Sequence, residues 1–203
     1  MKIINLEKNM GDFQLKIDHL DIEPGRIHGL AGHNGCGKTI LLKTIMGIME
    51  PDRGEIDLEG LDRRHMTMMT QRPYLLHESV YENLIYPLKI RGMKVDEDEA
   101  SKLLEKAGLL AHKNQYARSL SSGERQKLSF LRAIIFGPKF VIMDETLSNM
   151  DPESEQAIIA MIREIQEREP ITWLIVSHQA EHRSGLCEVM HYMEKGRIVN
   201  ETA

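Results

Sequence analysis

Residues Gly32 to Thr39 read GHNGCGKT, the spacing G-x-x-x-x-G-K-[ST] of a loop that wraps phosphate groups. Gly32, Gly35 and Gly37 let backbone amides turn toward an anion with no Cβ in the way. His33, Asn34 and Cys36 fill the variable positions, and Ile40 lies in the helical pattern that follows. The start of that helix adds free amides and the positive end of its dipole. Lys38 places a point charge on β- and γ-phosphates, and the Thr39 hydroxyl can ligate Mg²⁺. By itself the loop implies a P-loop nucleoside triphosphatase and does not separate ATPase, GTPase and kinase.

A second chemical group lies at FVIMDE, Phe140 to Glu145, an apolar strand ending in two carboxylates. Ligands of open α/β sheets sit beyond the carboxyl ends of the strands. Asp144 is expected to reach Mg²⁺ there through water, and Glu145 to orient or deprotonate an attacking water. Two solvent-facing acids at a strand end are the bland alternative; the phosphate loop favours the chemical one.

The elements that must position these groups are legible in outline. Strands are expected at Lys2–Glu7, Phe13–Ile22, Arg26–Ala31, Gly54–Glu59, Met66–Thr70, Lys139–Met143 and Ile171–Val176. Ile40, Leu41, Leu42, Ile45 and Met46 share a helical face after the loop. From Ser79 to Phe136 the pattern is mostly helical, with Asp96–Glu99 placing negative charge at a helix start. A further helix over Pro152–Arg168 opens on a proline suited to its first position. Nearly all-apolar strands alternating with helices predict a parallel sheet covered on both faces.

The 203 residues carry 41% hydrophobic and 28% charged side chains, with 31 acidic against 26 basic groups and a net charge of −5. That balance argues against a nucleic-acid surface, which needs excess Lys and Arg. No apolar run reaches bilayer length and the N-terminus lacks a signal-peptide core, so membrane association is expected only through a partner. Cys36 and Cys187 have neither metal-ligand nor disulfide spacing, which suits a cytoplasmic setting. Cys36 reads as a small filler, with activation beside Lys38 as the alternative. Met66, Met68, Met69 and Trp173 read as core.

LSSGERQ, Leu120 to Gln126, resembles the signature of the ABC-ATPase family, LSGGQ. Four other segments fall in that family's order: Gln71 in MTQRP, the DETLSNMD run from Asp144 to Asp151, His178 in IVSHQ, and the phosphate loop itself. The resemblance spans Ile3 to Val199. It implies an α/β fold with a P-loop NTPase core, an antiparallel β layer and a helical signature subdomain. One ABC ATPase domain is expected over 1–203, with 1–70 and 138–203 as core and 71–137 as the helical subdomain. The resemblance also implies ATP as substrate, Mg²⁺ held by Thr39, Gln71 and Asp144, and catalysis by Glu145, His178 and Gln71. Its partners would be a homodimer or paired ABC subunit, an integral membrane permease docking near 73–88, and a solute-binding protein, with no nucleic acid. Ser121, Ser122, Gly123 and Glu124 would face the ATP of the opposite protomer, and Asp151 would line the interface.

The sequence departs from the family pattern in places. Ser122 replaces a glycine and would be strained if φ there were positive. Glu124 replaces glutamine, and Thr146 stands where proline is usual. Asn9 and Met10 lie where an adenine-stacking aromatic is expected, while Phe13 fits the β layer. The region QRPYLLHESVYENL is similar to tungstate- and molybdate-type importer subunits. An importer subunit on the inner face of the cell membrane is therefore expected. The alternatives are a soluble non-transport ABC ATPase and a regulatory module that only binds nucleotide.

Overall fold

The computed structural model describes residues 1–148, 150–177 and 185–202. They form two compact units, the first comprising Met1–Met68, Lys139–Glu145 and Glu169–Ala203, the second Met69–Pro138 and Thr146–Arg168. Residues 146–168 thus group with the helical stretch, whereas the sequence pattern assigned them to the core.

The first unit contains two sheets. β1 (Lys2–Met10) pairs antiparallel with β2 (Phe13–Asp21) and with β4 (Arg53–Asp57), giving the order β2-β1-β4. The larger sheet has the order β5-β6-β7-β3-β8-β9, from β5 (Met66–Met69), β6 (Phe140–Asp144), β7 (Thr172–Ser177), β3 (Ile27–Ala31), β8 (Val189–Glu194) and β9 (Arg197–Thr202). β3 lies parallel to both β7 and β8, and β6 lies parallel to β7. Every residue of β3 and β7 is buried, as a parallel sheet covered on both faces requires. Trp173 is in this core, as its apolar setting predicted.

Helix α1 (Lys38–Ile45) turns Leu41, Leu42 and Ile45 into one core cluster. Leu6, Leu15 and Ile17 of the antiparallel sheet enter it on one side, and Leu30, Ile142 and Leu174 of the larger sheet on the other. Each such side chain, fully buried, contributes about 1.5–3 kcal/mol. The helix that follows the phosphate loop is therefore fixed by its own apolar face.

β8 and β9 were not anticipated. Only His191 and Met193 of β8 are buried, so a mixed segment gives no clean alternation; its pairing comes from β3 on one side and the β8–β9 hairpin on the other.

The second unit holds α2 (Val80–Ile90), α3 (Glu97–Lys106), α4 (Ser122–Ile134) and α5 (Pro152–Arg168). Their starts are capped by side chains. Ser79 accepts from the Glu82 amide, and Asp96 accepts from the amides of Asp98 and Glu99. The acidic run at Asp96–Glu99 is therefore a helix cap and first turn, as expected. Pro152 begins α5 at its first position.

His28 and His191, on neighbouring strands, stack with ring planes 8° apart, and His28 Nδ1 lies 3.0 Å from His191 Nε2. Burial holds the His191 imidazole down to about 4, and lowers His28 for the same reason. Between pH 6.5 and about 4 the unfolded chain binds a proton at this position that the folded chain refuses, so stability falls as pH falls through that window. His191 alone carries about 3 kcal/mol across it. Urea unfolding at pH 7 and pH 5 measures this: the midpoint drops at pH 5, and drops less in His191→Asn.

Candidate nucleotide site

The phosphate loop closes on itself before it meets any ligand. Lys38 is only 5% exposed, and its Nζ donates to the carbonyls of Gly32 (2.7 Å) and His33 (3.1 Å). The Cys36 amide donates back to His33 O at 3.2 Å. Gly37 caps α1 in a left-handed conformation, φ 110°, with no side-chain cap. The first-turn amides of α1 thus keep no side-chain competitor for an incoming anion.

Glu145 Oε1 lies 3.8 Å from Lys38 Nζ. Glu145 follows directly on β6, and its amide donates to Val176 O at 3.2 Å on the adjacent strand β7. Its own φ is +52°, a left-handed backbone that costs a non-glycine residue about 1–2 kcal/mol. Asn5, Glu59 and Lys195 share a positive φ, but Glu145 alone of these four pairs with the phosphate-loop lysine, which makes it the candidate for a chemical role. Asp144 accepts a hydrogen bond from the Thr39 side chain, and burial followed by the neighbouring Glu145 charge raises its pKa.

A half-buried carboxylate whose charge is disfavoured by desolvation and by a neighbouring carboxylate, touching a hydroxyl, suits a hard cation: both are oxygen donors of the kind Mg²⁺ takes. Among the described residues no group of three or more His, Cys, Asp or Glu could hold a metal alone. Such an ion would take its other ligands from phosphate oxygens and water. The methionines of β5 are core, Met66 and Met69 buried and Met68 packed against the cluster, as their strand spacing indicated.

Sequence reading missed what holds the loop from behind. The turn between β8 and β9 places Gly196 so that its amide donates to Cys36 O (2.8 Å) and its carbonyl accepts from Lys16 N (2.7 Å). Gly196 has φ +80°, and a Cβ there would sit 2.1 Å from Gln14 O. Met193 of the same hairpin presses its carbonyl toward Gly32, where a Cβ would lie 2.3 Å away. Phe13 and the Met193 methyl crowd Gly37 in the same way, at 2.7 and 2.9 Å. The hint available in the sequence was the KG pair of MEKGRIV, a turn signal between two weak strands.

Phe13 also packs on the core cluster, which fits its reading as β-layer core. Together with Asp12, His33, Asn34, Lys195 and others it lines a cavity of about 490 Å³ beside the loop. Met10, in the place of the expected aromatic, is 45% exposed. Cys36 is buried within the core cluster, in keeping with a filler.

In the second unit the signature segment begins α4. The Ser121 hydroxyl accepts from Glu124 N (3.3 Å) while Glu124 Oε2 accepts from Ser121 N (2.8 Å), a capping box. The hydroxyl also bonds the Glu124 carboxylate, so serine and glutamate close on each other at the helix start. Glu124 Oε1 also lies 3.3 Å from His112 Nε2. The Ser121 hydrogen bonds, backbone first, lower the Glu124 pKa, so its extra charge serves the helix start. Ser122 is the first residue of α4 and is not among the residues with positive φ, so the strain considered for a serine there does not arise. Gly123 is required for space instead: a Cβ would fall 2.5 Å from both Asp151 Oδ2 and Ser154 Oγ. Asp151 is held in turn by Ser154 N, 2.8 Å from its Oδ1. The Gln71 carbonyl accepts from Gln126 Nε2, and Thr146 is buried with its hydroxyl unpartnered. Asn149 and His178 lie outside the described residues.

A glycine-rich loop leading into a helix start, with a buried lysine and two carboxylates at the end of β6, one strand removed from β3 in the same sheet, defines a P-loop nucleoside triphosphatase. The chain matches the ABC transporter family over residues 15–148. It is 34% identical to the tungstate uptake system ATP-binding protein TupC of Peptoclostridium acidaminophilum, over 97% of this chain and 95% of that one. It is 33% identical to the methionine import ATP-binding protein MetN 1 of Paraburkholderia xenovorans, over 90% of this chain but 58% of that one. Among solved structures, cbiO1 of Clostridium perfringens, part of the ABC transporter complex cbiONQ, superposes with a TM-score of 0.83 at 26% identity, covering 98% and 86% of the two chains. The chain belongs to the ABC transporter family and is one of its ATP-binding subunits, an ATPase. No described helix is long and apolar enough to cross a membrane.

The hairpin contact is testable against a strain control. Gly196→Ala is expected to weaken ATP binding at least tenfold, read by titration with a fluorescent ATP analogue. Gly60 shares a positive φ (+84°) but a Cβ there meets nothing within 4 Å, so Gly60→Ala is expected to lower melting temperature with ATP affinity intact.

Proposed function

We propose that this subunit powers a membrane importer by ATP-driven closure of a head-to-tail dimer. The observation that carries the hydrolytic part is Glu145: a strained carboxylate 3.8 Å from the phosphate-loop lysine and next in sequence to the half-buried Asp144. In this reading the phosphate loop, residues 32–40, holds ATP. Thr39 and Asp144, with Gln71, would hold Mg²⁺, which would neutralise phosphate charge. Glu145 takes or orients the proton of the attacking water, and Gln71 and His178 complete the position of water and γ-phosphate.

The helix start at Ser121–Glu124 belongs to the second unit, and its first-turn amides and dipole favour an anion. This supports its use as the anion site for nucleotide carried by a second copy of the chain, with Asp151 at the interface. Two bound ATP molecules would then close the pair, and hydrolysis would release it, since a ligand shifts an equilibrium only through differential binding. Glu145→Gln tests this. The variant is expected to bind ATP, run as a dimer on size exclusion with MgATP, and hydrolyse at least a hundredfold more slowly. Turnover at the parent rate would remove Glu145 from its role.

Names of two relatives, tungstate uptake and methionine import, support import as the direction. TupC matches nearly end to end, which favours a tungstate- or molybdate-class oxyanion as cargo, delivered by a solute-binding protein. A permease on the inner face of the cell membrane would dock at residues 73–88. There Tyr74 is exposed, Tyr86 is also on the surface, and Glu78 is exposed. Charge reversal at Glu78 is expected to abolish stimulation of ATPase activity by the permease while sparing the basal rate; stimulation at the parent level would move the docking site elsewhere.

A further inference from the structure

Gln126, five residues after the start of α4's capping box, belongs to none of the roles assigned so far. It is 7% exposed. Its Nε2 donates to the backbone carbonyl of Gln71 at 2.7 Å. Because that partner is a carbonyl, the orientation of the amide is fixed: nitrogen faces Gln71. The other end, Oε1, is buried with no hydrogen-bond partner. A cavity of about 450 Å³ opens beside it, walled by Gln71, Arg72, Ser122 and Arg125 among others.

A buried acceptor left unmatched lowers stability, and an apolar side chain of the same shape would avoid the loss. Stability therefore does not account for Gln126, and the one bond it makes is the reason for it. That bond joins a rigid, box-capped helix to an exposed loop: residues 70–76 have no regular secondary structure. Main-chain anchoring of such a loop decides where its side chains can reach, because an irregular segment has no ladder of its own to fix it.

We propose that Gln126 is a positioning residue for Gln71. By holding the Gln71 carbonyl, it sets the place from which the Gln71 side chain reaches water and metal at the nucleotide. It also ties that side chain to the helix whose first residues face the nucleotide of the second copy. The inference rests on the catalytic role given to Gln71 above.

The test is a double-mutant cycle in steady-state ATPase assays on the full chain. Gln126→Met keeps size and burial and removes the donor; Gln126→Glu does the same with an acceptor facing the carbonyl, and serves if the first variant fails to fold. Expected is a loss of about tenfold in kcat with KM for ATP within about twofold. Gln71→Ala is expected to lose at least as much. Combined with Gln71→Ala, the Gln126 substitution is expected to cost nothing further, because there is no side chain left to position. A further tenfold loss in the Gln71→Ala background, or parent turnover in Gln126→Met, would overturn the proposal while leaving Gln71 in place. Parent turnover in Gln71→Ala itself would instead remove the reading on which it stands.

Discussion

A loop that offers its amide N–H groups to an anion must send its carbonyl oxygens elsewhere, and much of the first unit answers that requirement. The Gly32 and His33 carbonyls go to the Lys38 ammonium. The Cys36 carbonyl goes to the Gly196 amide, and the Gly37 carbonyl begins the hydrogen-bond ladder of α1. Each disposal draws on a different element: the loop's own lysine, a distant hairpin, and a helix pinned in the core by Leu41, Leu42 and Ile45. These four carbonyls are occupied within the protein, which preorganises the loop for an anion.

The same accounting explains the second unit's helix start. α4 begins with free amides, as all helices do, and the sequence satisfies two of the local needs reciprocally through Ser121 and Glu124. Gly123 then leaves room for Asp151 and Ser154 to approach. The short link from signature to α5 is thus a contact between a helix N-terminus and the cap of the next helix, which explains why a small residue recurs where the family pattern expects one.

Much of this was legible in the sequence because the responsible groups are local. GHNGCGKT, FVIMDE and SGE each carry their chemistry within a few residues, and the strands that present them are continuous apolar runs. The units were legible where periodicity was strong, as in α5, which begins and ends where its pattern does. What escaped was non-local. β8 and β9 pair through neighbours far away in the chain, and Val189–Glu194 has no alternation to betray it. Gly196, Met193 and Gln126 act through backbone partners that no spacing rule connects: Cys36 and Gly196 are far apart in sequence, as are Gln71 and Gln126. The strain expected at Ser122 did not arise, because the residue opens a helix rather than occupying a left-handed turn.

The hairpin behind the phosphate loop has a consequence for how this chain can vary. Its grip is exerted by main-chain atoms, while the side chains of Glu194, Lys195 and Arg197 are exposed. Those three side chains can therefore drift with little penalty, yet the number of residues in the turn cannot. One added or deleted residue would shift the β8–β9 register, flip Met193 away from Gly32 and carry Gly196 out of reach of Cys36. Apart from the glycine at 196, length rather than identity is what selection would guard in this turn.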